Sequence, residues 1–164
     1  MMKKKICMLG AFAVGKTSLV RRFVHTIFSD IYETTVGVTI EKKEVVVGDK
    51  LIDLIIWDLH GEDDFQTVRM SYLRGASGCI YVVDGTRKTT FDVASILHEK
   101  ACNAIGNIPA VFLINKSDLT ESWEMEPDKF DTLKKKGYPF WETSAKTGTN
   151  VETAFHYLTR LMVG

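Results

Sequence analysis

The chain has 164 residues, of which 45% are hydrophobic and 26% are charged, a composition typical of one ordinary globular domain. Lys plus Arg and Asp plus Glu each number 21, so no net charge attracts nucleic acid or an anionic membrane surface. The three cysteines lack the spacing of a disulfide framework or a zinc site, which favours a reducing, cytoplasmic environment. We expect a single domain over residues 1–164.

Short apolar runs alternate along the chain with longer segments whose apolar residues recur at helical spacing. The runs predict strands at 6–9, 45–47, 51–57, 79–83, 110–114 and 138–141. The spaced segments predict about five helices, at 16–25, 65–74, 90–105, 128–136 and 151–162. This alternation is typical of an α/β fold, a mainly parallel six-stranded sheet with helices on both faces.

Three local signals refine this prediction. Gly48 and Asp49 separate two apolar runs with no room for a helix, which predicts a hairpin and one antiparallel edge strand. Cys7 and Cys79 lie inside apolar runs, so we interpret them as small buried hydrophobic residues. Asn150 precedes the last predicted helix and is a candidate N-cap.

A phosphate-binding pattern follows the first predicted strand. Gly10, Gly15, Lys16 and Thr17 satisfy G-x-x-x-x-G-K-[ST] at the start of a helix, the context that this motif requires. In such a loop the backbone N–H groups and the helix N-terminus face the β-phosphate. The lysine contacts phosphate oxygens and the threonine hydroxyl binds Mg²⁺. A glycine-rich turn without a ligand is the alternative interpretation, and the loop alone does not select a base.

Polar residues end four of the predicted strands at one edge of the sheet. Ligands of open α/β sheets bind beyond the carboxyl ends of the strands, which are followed here by Asp58, Asp84, Asn115 and Ser144. The Asp58 carboxylate can hold the outer shell of a metal ion, and a glycine N–H three residues later can reach a γ-phosphate. Asp118 can accept hydrogen bonds from guanine N1–H and the 2-amino group, whereas adenine offers neither donor. Residues 115–118 therefore predict a guanine nucleotide as the ligand. The alternative interpretation is an ordinary polar turn after a buried strand.

With these motifs the chain resembles a Ras-superfamily small GTPase, most closely the Rab branch, from residue 4 to residue 162. The resemblance implies the P-loop NTPase fold of a small G domain. It also implies GTP and GDP as ligands, Mg²⁺ as cofactor, and slow hydrolysis of GTP in a switch used for signalling or trafficking. Two switch segments, residues 31–39 and 59–74, would be ordered by the γ-phosphate and released on hydrolysis.

The resemblance also implies roles for individual residues. Phe28 would lie edge-on to the base, and the backbone N–H of Ala145 would contact the guanine oxygen. Mg²⁺ would be held by Thr17, Asp58 and, only beside a γ-phosphate, Thr35. The full set of implied nucleotide contacts is Ala13, Val14, Gly15, Lys16, Thr17, Ser18, Phe28, Tyr32, Thr35, Gly61, Asn115, Lys116, Asp118, Ser144, Ala145 and Lys146.

Partner proteins are implied in the same way. Trp57 and Tyr72 match two members of the hydrophobic triad that Rab proteins offer to effectors, and Ile40 stands at the third position in place of an aromatic residue. An exchange factor and an activating protein are expected partners of a monomer that binds no nucleic acid. The sequence ends without a cysteine-containing lipidation tail, so we expect either a missing tail that would confer membrane association or a protein without its own anchor.

Three departures from the family lie around the expected site of hydrolysis. Phe12 replaces a small residue of the phosphate loop, His60 replaces the small residue before Gly61, and Glu62 replaces the catalytic glutamine. We expect catalysis, if it occurs, to involve Lys16 together with Gly61, His60 and Glu62. The phenyl ring would either hinder an arginine from an activating protein or pack on the second switch.

Two other functions remain open at this point. The first alternative is a GTP-binding interaction module that hydrolyses essentially nothing, which Phe12 and Glu62 favour. The second is a P-loop nucleotide kinase, which we rank low because the chain has no second arginine-rich lid segment.

Overall fold

The computed structural model describes residues 2–25, 37–60 and 70–164. Its strands are β1 (Met2–Gly10), β2 (Gly37–Val47), β3 (Lys50–His60), β4 (Gly78–Asp84), β5 (Ala110–Asn115) and β6 (Phe140–Glu142). They form one sheet in the order β2-β3-β1-β4-β5-β6. Every neighbouring pair is parallel except the antiparallel hairpin β2–β3. The predicted sheet and its antiparallel edge strand are confirmed.

The described residues contain four α-helices, one fewer than the sequence predicts. These are α1 (Lys16–His25), α2 (Thr89–Ile105), α3 (Pro127–Lys135) and α4 (Val151–Val163). Most of the helix predicted at 65–74 lies outside the described residues, and its end, Met70–Leu73, forms a 3₁₀ turn. A second 3₁₀ turn spans Thr120–Ser122. None of the described helices has the length and apolarity needed to cross a membrane.

Two hydrophobic cores cover the two faces of the sheet. On one face α1 and α4 pack together, where the rings of Phe23 and Phe155 stack with their centroids 4.1 Å apart. On the other face α2 and α3 cover a core that contains Cys7 and Cys79. Burial raises the pKa of the Cys7 thiol to about 11 and that of the Cys79 thiol to about 12. The interpretation of these cysteines as buried hydrophobic residues is confirmed.

Two strands extend well beyond the apolar runs that predicted them. β1 begins at Met2, and its lysine-rich start pairs with β3 from Met2 opposite Ile52 onward. β2 begins at Gly37 and pairs along its whole length with β3. These segments are partly exposed and contain runs of charged residues, at 3–5 in β1 and 41–44 in β2, so they lack the continuous apolar run of a buried strand.

Asn150 occupies the N-cap position of α4, as predicted, but it does not cap the helix with its side chain. Asn150 does precede α4, but its backbone is left-handed and its side chain makes no capping hydrogen bond. The side-chain amide of Asn150 instead donates to the backbone oxygen of Glu142 at 2.9 Å. This contact ties the loop before α4 to the end of β6, which orders the segment that contains Ser144 and Ala145.

Candidate nucleotide-binding site

The phosphate loop connects β1 to α1 and closes around its own lysine. The Lys16 Nζ donates to the backbone oxygens of Gly10 and Ala11, both at 3.0 Å, and Lys16 is buried. Gly15 has a φ of 105°, and a Cβ atom there would lie 2.3 Å from the Asn115 Nδ2. Only glycine fits at this position because both the backbone conformation and the available space exclude a side chain.

A pair of oxygen ligands lies where α1 begins. The Thr17 Oγ1 donates to the Asp58 Oδ2 at 2.6 Å, which joins the start of α1 to the end of β3. Asp58 is 1% exposed. A hydroxyl and a carboxylate are the hard oxygen donors that Mg²⁺ prefers, so this pair fits the metal. Residues 2–25, 37–60 and 70–164 contain no cluster of three or more His, Cys, Asp or Glu that could hold a metal.

The residues predicted to read the base are bonded directly to the phosphate loop. The Asn115 Nδ2 donates to the Val14 backbone oxygen at 3.0 Å, and the Lys116 Nζ donates to the Ala13 backbone oxygen at 3.0 Å. The Thr143 hydroxyl donates to the Asn115 Oδ1 at 3.2 Å and fixes the orientation of the amide. The loops that follow β1, β5 and β6 therefore form one hydrogen-bonded unit.

Asp118 is held by the loop after β6. The buried Ser144 Oγ donates to the Asp118 Oδ1 at 2.7 Å, which orients the carboxylate while its other oxygen stays available to a ligand. Ala145 follows and is 4% exposed, whereas Lys146 is exposed. Ser18, the last residue predicted on the phosphate side, is half-buried in the first turn of α1. The structure thus brings these predicted residues to one edge of the sheet.

Asp84 anchors two cations behind the phosphate loop. The Asp84 Oδ2 lies 2.9 Å from the Lys116 Nζ and 3.0 Å from the Arg87 Nε. Burial alone would raise the pKa of the Asp84 carboxyl, but its bonds to Thr86, Lys116 and Arg87 outweigh that effect and lower the pKa. Arg87 also donates to the Phe12 backbone oxygen at 2.7 Å. The charge on Asp84 therefore fixes both cations against the loop.

The three predicted effector residues lie together on the β2–β3 hairpin and the turn after it. Ile40 is directly opposite Trp57 in the ladder and is 46% exposed. The rings of Trp57 and Tyr72 lie 6.2 Å apart, centroid to centroid. The Lys5 ammonium lies 3.6 Å from the Trp57 ring centroid and donates to the Tyr72 backbone oxygen at 2.7 Å. This surface combines apolar side chains with one packed cation.

Several predicted residues lie outside the described part of the chain. They are Phe28, Tyr32, Thr35, Gly61 and Glu62, together with most of both predicted switch segments. His60 is described only through its backbone, which pairs with Gly37 at the end of β3. Phe12 is described and 44% exposed.

The sequence did not predict the hydrogen bonds that three basic side chains make around the site, those of Lys5, Arg22 and Arg87. Each of these side chains donates to backbone oxygens of a segment distant in sequence, so no side-chain pattern marks the contact. A basic residue on a helix or strand is ordinarily interpreted as a solvated one.

Known proteins match this chain over nearly its whole length. The model of the Ras family matches residues 5–163. The chain is 41% identical over 153 residues to the Ras-related protein RABA6a of Arabidopsis thaliana, covering 92% of the chain and 66% of that protein. It is 35% identical over 164 residues to the Ypt/Rab-type GTPase avaA of Emericella nidulans, covering 95% of the chain and 80% of that protein. The identity to the Ypt/Rab-type GTPase ypt7 of Pyricularia oryzae is also 35%, with the same two coverages.

The family match, the sheet order and the phosphate loop all agree with the sequence-based resemblance. Members of this family bind guanine nucleotides and interact with effectors and regulators. We conclude that the chain is a GTPase of the Ras family and belongs to its Rab branch.

Proposed function

We propose that the chain acts as a single-domain, Mg²⁺-dependent switch that binds GTP and GDP, hydrolyses GTP slowly and binds effectors in one nucleotide state. The observation that carries this proposal is the bonding of Asn115 and Lys116 to the backbone oxygens of Val14 and Ala13. These bonds join the segment that reads the base to the segment that holds the phosphates. The base and the phosphates of one nucleotide would therefore bind to a single preformed surface.

The phosphate side follows from the loop. The backbone N–H groups of Ala13 to Ser18 and the start of α1 provide the positive end that favours phosphate oxygens. Lys16 would transfer its hydrogen bonds from the loop carbonyls to those oxygens. Thr17 and Asp58, joined in the GTP state by Thr35, would hold Mg²⁺, which when bound would neutralise charge on the phosphates.

The base side rests on two neighbouring loops. Asp118, oriented by Ser144, would accept from guanine N1–H and the 2-amino group. The Ala145 N–H would donate to the guanine 6-oxo group, with Lys146 following it in the same loop. Phe28 and Tyr32 would complete the enclosure of the nucleotide. Adenine would offer no donor to the Asp118 carboxylate, which among the described residues would then keep only its hydrogen bond from Ser144, at a cost in binding.

Glu62 makes slow hydrolysis the expected chemistry. In the family a glutamine orients the attacking water, and a carboxylate can accept from that water but cannot donate toward the phosphate. At about 5 Å and an effective dielectric of about 20, a like-charge pair costs roughly 3 kcal/mol, or about two decades in rate. Glu62 avoids this cost if it points away, and Gly61 would still offer its N–H to the γ-phosphate.

His60 offers a different way to place the water. An imidazole titrates near neutral pH and can accept a proton or a hydrogen bond from the nucleophile. If His60 has this role, His60→Ala lowers single-turnover GTP hydrolysis severalfold. An unchanged rate in that variant excludes the role.

A second candidate is a GTP-bound interaction module without hydrolysis. Phe12 favours it, because a side chain that is 44% exposed beside the phosphate loop would hinder an arginine from an activating protein. Its backbone oxygen is already engaged by Arg87. In this version Ile40, Trp57 and Tyr72 form a permanent docking surface.

Phosphate release separates the two candidates. Purified protein is incubated with GTP and Mg²⁺ for hours, beside the Glu62→Gln variant and a Lys16→Met variant that should bind poorly. Slow release that increases in Glu62→Gln supports the switch, and tight GTP binding without release supports the module. Failure of the wild-type protein to bind GTP or GDP would refute both.

Partners and location follow the same proposal. An exchange factor would open the site and an activating protein would act from the side of Phe12, while effectors would contact the Trp57 surface. We propose a cytoplasmic monomer that reaches membranes only through a lipidated tail or a partner.

A further inference from the structure

Arg22 connects the helix of the phosphate site to the loop of the base site. It lies in α1, half-buried, with its side chain directed at the loop after β6. The Arg22 Nε donates to the Ala145 backbone oxygen at 2.7 Å, and its Nη2 donates to the Lys146 backbone oxygen. A guanidinium suits this task because its N–H groups form a rigid planar fork.

A third carbonyl of the same loop is also fixed. The Gly148 N–H donates to the Ser144 backbone oxygen at 2.8 Å. The carbonyls of three consecutive residues, Ser144, Ala145 and Lys146, are therefore each hydrogen-bonded within the protein.

Peptide geometry then determines where the N–H groups point. The chain has no cis peptide bond in its described residues, and in a trans peptide the C=O and N–H point in opposite directions. Holding the carbonyls of Ser144 and Ala145 therefore turns the N–H groups of Ala145 and Lys146 to the opposite side. The next N–H, of Thr147, donates to the Ser144 Oγ at 3.1 Å, which agrees with this arrangement.

Arg22 also changes the donor strength of this loop. A cation that donates to a carbonyl polarises the peptide group and makes the N–H of the same peptide a better donor. The Lys146 N–H shares its peptide with the Ala145 carbonyl that Arg22 contacts. Two adjacent N–H groups, aligned and polarised, form a site for one oxygen atom with partial negative charge.

We propose that Arg22 is a positioning residue for base selection: by holding the Ala145 carbonyl it directs the Lys146 N–H toward the 6-oxo group of guanine, beside the Ala145 N–H that the Gly148–Ser144 bond directs. This inference rests on the proposed function, since the base contact of Ala145 comes from the family resemblance. Because α1 starts at Lys16, Arg22 also fixes the distance between the base loop and the phosphates.

The test compares two nucleotides that carry a 6-oxo group with one that lacks this group together with the adjacent N1–H. Dissociation constants are measured for GDP, inosine diphosphate and 2-aminopurine riboside diphosphate by competition against a fluorescent GDP. GDP and inosine diphosphate carry the 6-oxo group, and the 2-aminopurine compound lacks it. In Arg22→Met, which keeps the aliphatic stem, we expect binding of the first two to weaken about tenfold and binding of the third to change less than about twofold.

Two further variants control for charge and for folding. Arg21→Met removes the same charge one residue earlier on α1 and should leave all three constants unchanged. Arg22→Lys keeps the positive charge but lacks the rigid planar fork, so it should fall between wild type and Arg22→Met, with thermal unfolding as the check on folding.

Equal weakening of all three nucleotides, or no weakening in either Arg22 variant, would overturn the proposal. Those results are distinct from failure of the proposed function. That failure would appear in the wild-type protein, as an absence of preference for GDP over ADP.

Discussion

The Asn115 side-chain amide donates to the backbone oxygen of Val14 at 3.0 Å and so joins two loops that lie 101 residues apart in sequence. Asn115 is 2% exposed, and its own oxygen accepts from Thr143. An amide is suited to this position because it donates and accepts at once. The phosphate loop is therefore braced from behind by the strand that leads to the base site.

Removing this brace should weaken nucleotide binding. Asn115→Ala leaves the Val14 oxygen and the Thr143 hydroxyl without this partner, and we expect GDP affinity to fall by about ten- to a hundredfold. Isothermal titration measures the change. Thr143→Val removes only the contact to the amide oxygen and should cost less, so an Asn115→Ala protein that binds GDP as tightly as wild type would contradict the model of a braced loop.

Gly15→Ala should damage both binding and folding. The added Cβ would meet the Asn115 Nδ2 at 2.3 Å, and a φ of 105° is strained for alanine. We expect a loss of about 1–3 kcal/mol in the free energy of unfolding, together with loss of GDP binding. Gly75→Ala is the matched control, since Gly75 has a φ of 79° but open space around it. In the control, denaturant titration should show only the loss of stability that the strained backbone causes, and the affinity for GDP should be retained.

Lys5→Met should loosen the predicted effector surface. The Lys5 ammonium donates to the backbone oxygens of Tyr72 and Arg74 and lies over the Trp57 ring. Its loss should lower the free energy of unfolding by about 1–2 kcal/mol and shift the indole N–H signal of Trp57 in an NMR spectrum. Lys3→Met changes an exposed lysine of the same strand, and an equal shift there would show that the effect is only one of charge.

His98 should make stability depend on pH. Burial, and then the nearby charge of Lys136, lower the pKa of His98 below its usual 6.5. Between the lowered pKa and pH 6.5, His98 is therefore protonated in the unfolded chain and neutral in the folded chain. The contribution of neutral His98 to the free energy of unfolding is therefore fully present above pH 6.5, and it is lost as the pH falls through the pKa that His98 has in the folded chain.

The test is urea unfolding at pH 7.5 and pH 5.5. We expect wild type to be less stable at the lower pH, and the difference to shrink in His98→Phe. Phenylalanine can keep the ring packing against Tyr81 and Tyr138, whose centroids lie 5.0 and 4.6 Å from the imidazole. An undiminished difference in His98→Phe would contradict the assignment.

The thiols should react in a fixed order. With a pKa of about 11, the Cys7 thiol is about 0.1% ionised at pH 8, and Cys79, at about 12, is ionised still less. Cys102 also has a raised pKa, but its side chain is only partly buried. Alkylation followed by mass spectrometry should therefore modify Cys102 first and the other two only on unfolding, with the early modification absent in Cys102→Ser. Early modification of Cys7 would contradict the buried core.

The sequence predicted the buried strands well and the edge segments poorly. β4 and β5 are covered on both faces, so their apolar runs at 79–83 and 110–114 fall within one residue of the observed bounds. β2 has charged residues at 41–44 and half of its surface exposed, so only its last three residues carried a signal. A continuous apolar run predicts a strand that is buried on both faces, and a strand with one exposed face need not contain such a run.

The candidate site divides in a similar way. Gly15, Lys16, Thr17 and Asn115 were predicted because they match motifs that are defined by residue type and spacing, and the structure brings them to one edge of the sheet. Arg22 was not predictable, since its partners are backbone oxygens of a loop 123 residues away. Backbone acceptors occur at every residue and leave no trace in a side-chain pattern.

The β2–β3 ladder has a consequence for any partner. Gly37 and His60 face each other at its last rung, and neighbouring strands lie about 4.8 Å apart. The predicted first switch, residues 31–39, and the predicted second switch, residues 59–74, therefore meet on neighbouring strands, where Val38 pairs with Leu59. One partner residue that contacts this end of the hairpin would therefore lie against both predicted switch segments at once.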